Sequence, residues 1–216
     1  MRIKVIFIIA FLLTMALLPI FITRCSVKNP SVTAFSTSDE IAATQPSEIQ
    51  MQPKENKSEL GETELCGLVA SNYDESYSQE TLKALAVILY TNYKANSESY
   101  DLTDKEVCIK ESDADSSLKE NYDKIKAAVS SVYKKTLCTN GKAFFIPFCS
   151  FTNGKTYETS DYPYLTAVAS PWDCYAGNAE SSEYYGVSLY GLNFICSQGC
   201  TYEEALLWYL PDFEIR

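Results

Sequence analysis

Eighteen consecutive residues, Val5–Ile22, carry no charge, and Thr14 is the one clearly polar side chain among them. As a helix they rise about 27 Å, close to the ~30 Å hydrocarbon core of a bilayer. A helix apolar on every side has no place on the surface of a water-soluble domain, so this run is expected to be a membrane anchor. The competing reading is a cleaved signal peptide. Its apolar region is usually about 7–15 residues long and is followed by a small-x-small site. The run here ends Phe21-Ile22-Thr23-Arg24-Cys25, which suits cleavage poorly, and Arg24 before Cys25 suits a lipoprotein poorly. Arg2, Lys4 and the N-terminal amine favour the N-terminus inside, although Arg24 and Lys28 follow the span. The remainder is then expected outside the cytoplasm of a single-pass cell-membrane protein. All 28 acidic residues lie beyond Lys28, with 14 of the 18 basic ones.

Residues 25–61 read as a disordered polar tether. They contain Asn29-Pro30, Gln45-Pro46 and Gln52-Pro53 among many Ser, Thr, Glu and Lys, and their apolar residues follow no period. A flexible chain of this length reaches roughly 30–35 Å. Residues 62–216 are then the folded domain, long enough to bury a core. No internal repeat is present.

Within the domain the local signals are strong. Ser78 is a good N-cap for a helix over 79–94, with Leu82, Leu85, Ala86, Leu89 and Tyr93 at helical spacing. A second amphipathic helix fits 116–134, striped by Leu118, Tyr122, Ile125, Val129 and Val132, with Lys134 and Lys135 at its negative end. Asn140-Gly141 between Thr136–Thr139 and Lys142–Phe148 predicts a hairpin. A third helical piece fits 191–198, closed by Gly199. Thr201 with Glu204 forms a capping box for a helix over 202–210, stopped by Pro211. Helices and hairpins in separate runs make the fold class α+β.

The chain has no histidine. That removes Ser-His-Asp and Cys-His nucleophilic sites and every His-ligated metal site. Proton transfer near neutral pH falls to carboxylates, Lys, Tyr or Cys. The net charge of −10 argues against a nucleic-acid partner. Of the 8 cysteines, Cys25 sits at the membrane edge and seven lie beyond it, with no C-x-x-C pair. An exported chain permits disulfides, but their pairing is not deducible from spacing. Several of these residues fit equally as small buried apolar groups. No cofactor or metal is expected.

Six stretches resemble the stage II sporulation protein D (SpoIID/LytB) family, in the family's order across residues 65–215. Gly67-Leu68-Val69-Ala70-Ser71-Asn72 followed by Glu80-Thr81-Leu82-Lys83-Ala84-Leu85-Ala86-Val87 looks like its opening, G-V-V-A-S-E-M-P and E-A-L-K-A-Q-A-V. Lys126–Val129 is similar to its helix before a hairpin. Phe148–Thr156 is similar to F-H-S-x-S-G-G-K-T. Tyr162-Pro163-Tyr164-Leu165 and Ser170-Pro171-Trp172-Asp173 are similar to P-Y-L…S-x-W-D. Gly186–Gly191 is similar to G-M-S-Q-Y-G, and Tyr202–Tyr209 to the last helix.

The resemblance implies a membrane-anchored domain outside the cytoplasm, lytic cleavage of peptidoglycan glycan strands, and a role in forespore engulfment. In lytic cleavage one carboxylic acid protonates the glycosidic oxygen and the sugar's own 6-hydroxyl closes the ring, so one Glu serves both proton transfers. The family's acid falls at Asn72, and a carboxamide cannot protonate an ether oxygen usefully. Other polar family positions hold Leu85, Ile88-Leu89, Cys149, Leu189 and, near a family His, Glu183.

Some candidates remain. Glu80 is retained, either as a proton donor or as a first-turn acid suiting its own helix dipole. Asp74, Glu75 and Glu183 are relocated acids or solvated charges. Lys83 contacts a glycan or a carboxylate, or lies on a solvated helix face. Ser150, Thr152 and Ser188 line the substrate cleft through their hydroxyls or serve structure alone. The 16 tyrosines stack on sugars or pack the core. Three functions follow as alternatives: a degenerate member that binds peptidoglycan strands, or other engulfment proteins, without cleavage; an active lytic transglycosylase with a relocated carboxylate; or a scaffold for other membrane proteins.

Overall fold

Residues 59–177 and 183–216 are described by a computed structural model. The described residues belong to one compact unit. The expected anchor at 5–22 and the tether up to residue 58 lie outside the described residues. Among the described residues no helix is long and apolar enough to cross a membrane.

The elements run α1 (Glu62–Ser71), α2 (Gln79–Ala95), a 3-10 turn (Ser97–Ser99), α3 (Ser116–Val132), β1 (Leu137–Thr139), β2 (Lys142–Ala143) and β3 (Phe148–Cys149). They continue with a 3-10 helix (Pro171–Tyr175), β4 (Val187–Ser188), α4 (Leu189–Ser197), α5 (Tyr202–Tyr209) and β5 (Glu214–Ile215). The fold class is α+β, as expected.

Ser78 starts α2 by accepting the Thr81 amide at 3.1 Å. The sequence stripe implies a helix with one buried face. Instead every residue from Leu82 to Asn92 except Lys83 is buried, because α1, α3, α4 and α5 all pack against it. A helix surrounded by others loses its solvent face. Two polar side chains near its C-terminal end are buried without being orphaned. Asn92 donates to the Ile146 carbonyl at 2.8 Å and accepts the Ile146 amide at 2.6 Å, while Thr91 accepts the Leu137 amide at 2.9 Å. The central helix thus positions both β1 and the approach to β3.

Helix α3 follows its predicted stripe and is capped by Asp115. It ends at Val132, two residues early. Lys134 then turns left-handed at φ 71° and reaches Glu59, and Lys135 reaches Tyr202 and Glu203. Neither lysine closes the helix. Leu60, assigned to the tether from sequence, is buried in the core.

The Asn-Gly hairpin forms in register Cys138↔Ala143 and Thr139↔Lys142, with positive φ at both turn residues. Strand β5 adds to the other edge of β1 in antiparallel register, Leu137↔Ile215. The second hairpin strand stops at Ala143 rather than continuing to Phe148. Phe148 and Cys149 pair in parallel with Val187 and Ser188 instead. Among the described residues this makes one hairpin extended by β5 into a three-stranded antiparallel sheet, and one separate parallel pair, not several hairpins. Parallel strands need a long connection, which here spans 150–186. Gly186 makes the pairing possible: it sits at φ 75°, and a Cβ there would fall 2.0 Å from the Pro147 carbonyl oxygen.

Candidate functional site

The family-like stretches at 148–156, 170–173 and 186–191 converge at the N-terminus of α4. Asp173 is their meeting point, and it is fully buried. One of its oxygens accepts the Thr152 amide at 2.8 Å and the Thr152 hydroxyl at 2.6 Å. The other accepts the Ser188 hydroxyl at 3.0 Å. The Ser188 oxygen in turn accepts the Gly191 amide at 3.0 Å and so caps α4. Buried carboxylates survive when several donors replace lost water. Thr152 and Ser188 are therefore brought together by an acid, and their hydroxyls are directed at it. Asp173 was visible in the sequence as the last residue of the S-x-W-D-like stretch. It was the one acid there, and that was the available signal.

A second knot lies alongside. Tyr209 from α5 shares a 2.6 Å hydrogen bond with Ser170 and accepts the Trp172 indole N–H at 3.1 Å. Burial pushes the Tyr209 phenol up to about 12, so it stays protonated. Gly191 is needed for this approach: a Cβ there would meet Tyr209 Oη at 2.0 Å, Trp172 Nε1 at 2.3 Å and Ser170 Oγ at 2.6 Å. Outward from the knot, Trp172 stacks on Phe194 with centroids 5.5 Å apart and lies 5.5 Å from Trp208.

Cys149, at a position where the resemblance implies His, is paired in register with Ser188, which donates to this acid. Burial and then the Asp173 carboxylate push its thiol up to about 12. Such a thiol is no nucleophile at neutral pH. Ser150 is exposed, and its backbone carbonyl accepts the Tyr190 amide at 2.9 Å.

Asn72 occupies the C-cap of α1. Its side-chain amide donates to the Leu68 carbonyl at 2.9 Å and to Ser71 Oγ at 3.1 Å. Beyond it, the Asn193 amide of α4 holds the start of α2, accepting the Ser78 amide and the Thr81 hydroxyl and donating to the Ser76 carbonyl. Glu80 faces α5, not the dipole of its own helix alone. It binds Lys83 at 2.6 Å and accepts the Tyr202 amide at 2.9 Å, the first residue of α5. Burial acts to raise the Glu80 carboxyl, but the Lys83 hydrogen bond, the Tyr202 amide and the Lys83 charge outweigh it and hold the group below its usual range. Lys83 also lies 6.0 Å from the Tyr202 ring centroid. Glu75 accepts a hydrogen bond from Ser117, and Glu183, exposed, accepts one from Tyr185 at 2.8 Å. The structure thus pairs Glu80 with Lys83 and joins Thr152 to Ser188 through Asp173, while the Asn72 amide bonds to Leu68 and Ser71.

A surface depression lined by Glu158, Thr159, Ser160, Pro163, Leu165 and Thr166 contains none of these residues. Among the described residues no three Cys, Asp or Glu side chains are placed to hold a metal ion.

Residues 56–138 match the model of the SpoIID family, described as stage II sporulation protein. No curated protein matches the chain. The match contains α1, α2, α3 and Asn72. The Asp173 knot lies beyond it, in the stretches whose likeness to the family is one of motif.

Proposed function

We propose, from the membership of residues 56–138 in the SpoIID family, that this chain serves spore formation by binding peptidoglycan glycan strands without cutting them. It does so outside the cytoplasm, held to the membrane by Val5–Ile22. The family carries the sporulation-related cell-wall role. The carrying observation for the absence of cleavage is Asn72 at the C-cap of α1, with its amide committed to the Leu68 carbonyl.

The position itself favours acid chemistry. A carboxyl at a helix C-terminus sits among unpaired carbonyls and the negative end of the dipole. Both disfavour its ionised form, so it would keep its proton toward neutral pH, as a general acid must. Asparagine fits the same carbonyls through its N–H but has no proton to give. Glu80 and Asp173 are poor substitutes. Glu80 is held ionised by Lys83 and the α5 amide. Asp173 lies buried under Thr152 and Ser188.

The test is digestion of purified sacculi and of stem-peptide-free glycan strands by the wild-type protein and by Asn72→Glu. The wild type is expected to release no anhydro-sugar products, and the variant to release them. Release by the wild type would overturn the proposal.

A further inference from the structure

The aromatic surface over the Asp173 knot is built from three elements. Trp172 comes from the 3-10 helix, Phe194 from α4 and Trp208 from α5. Trp208 is 47% exposed, Phe194 37% and Tyr175 83%. Residues three apart in a 3-10 helix eclipse one another, so Tyr175 stands on the same side as Trp172. Both indole N–H groups are used inward, Trp172 to Tyr209 and Trp208 to the Ala169 carbonyl at 3.0 Å. The rings are therefore fixed by their polar edges.

We infer that this surface is a stacking platform for the uncharged N-acetylglucosamine rings of a glycan strand. The inference rests on the proposed function and assigns the residues that hold the strand. A pyranose presents axial C–H groups that fit the electron-rich face of an aromatic ring. Rings already fixed lose little freedom on binding. The charge of the surroundings selects the occupant. The 3-10 helix, α4 and α5 contain no Lys or Arg, and Asp173, Glu203 and Glu204 are their charged residues. Glu203 and Glu204 are exposed. Lys135 pairs with Glu203, and Glu204 is tied to Thr201 in the capping box, so the three elements offer no cluster of positive charge to an anionic bilayer or a nucleic acid, whereas uncharged sugar rings need none.

Both tryptophans of the chain, Trp172 and Trp208, lie in this surface. Intrinsic tryptophan emission therefore reports on it alone. The full chain, in detergent micelles, is titrated with N-acetylglucosamine oligomers and in parallel mixed with purified sacculi. A saturable change in emission is expected. Phe194→Ala and Trp208→Ala should each weaken oligomer binding roughly fivefold or more and reduce retention on sacculi. Tyr175→Ala, at a site too exposed to unfold the protein, should weaken binding in the same direction with an unchanged melting temperature. Retention on sacculi by wild type and all three variants alike, with unaltered emission, would overturn the platform and leave the proposed function standing. Absence of any retention by the wild type would overturn both. Loss of self-association in the variants, with no change in sugar binding, would assign the surface to a second copy and overturn the platform.

Discussion

Thr152 presents both its backbone amide, at 2.8 Å, and its hydroxyl, at 2.6 Å, to a single oxygen of the buried Asp173. Ser188 occupies the other oxygen. One carboxylate thereby ties the strand-like stretch after β3, the 3-10 helix and the start of α4 into one unit. Asp173→Ala would leave three buried donors without an acceptor. Chemical denaturation should show a loss of about 3 kcal/mol, with Asp173→Asn losing less because it keeps one acceptor oxygen. A midpoint unchanged in Asp173→Ala would show that the knot does not hold the fold.

Gly191 is the second point at which the knot is intolerant. An alanine methyl there would lie 2.0–2.6 Å from atoms of Tyr209, Trp172 and Ser170, and α4 would have to move away. Gly191→Ala should destabilise the protein by about 1–3 kcal/mol and shift tryptophan emission to the red as Trp172 loses its partner. Gly199→Ala is the control. It is strained at φ 94° but has open space around it, so it should leave the emission unchanged.

Glu80 gives the fold a pH dependence of definite sign. Its folded carboxyl is held below the ordinary value of 4.5. The stabilisation it provides is therefore present above about pH 4.5 and is lost as pH falls through the folded value. Glu80→Gln removes this contribution, so the variant should lose less stability than wild type between pH 5 and the acid limit. Melting curves over that range test it, and parallel curves for the two proteins would refute the assignment.

The thiols should divide by environment. Cys174 is exposed and Cys200 half-buried. Burial pushes Cys66 and Cys196 up to about 11, and burial with Asp173 pushes Cys149 up to about 12. Alkylation of the native protein at pH 8 followed by peptide mapping should label Cys174 first and leave Cys149 unlabelled until denaturant is added. Rapid labelling of Cys149 would contradict the packing at β3.

The sequence alone determined what depends on neighbours in the chain. The Ser78 cap, the Thr201–Glu204 box, the stripe from Leu118 to Val132 and the Asn140-Gly141 turn are local signals, and each forms where the spacing puts it. That Asn stands at position 72, where the resemblance implies an acid, was also legible, because it is a matter of residue identity at a motif position. What tertiary structure decided depends on partners far apart in sequence. The stripe on α2 understated its burial, since four helices close around it. The pairing of Phe148 with Val187 joins residues some forty positions apart, and no local pattern encodes a parallel register. The roles of Thr152, Ser188 and Glu80 followed the same rule. Their hydroxyls and carboxylate looked available to a ligand in one dimension. In three dimensions they meet Asp173 and the first amide of α5, because a buried polar group must find its partner wherever the fold provides one.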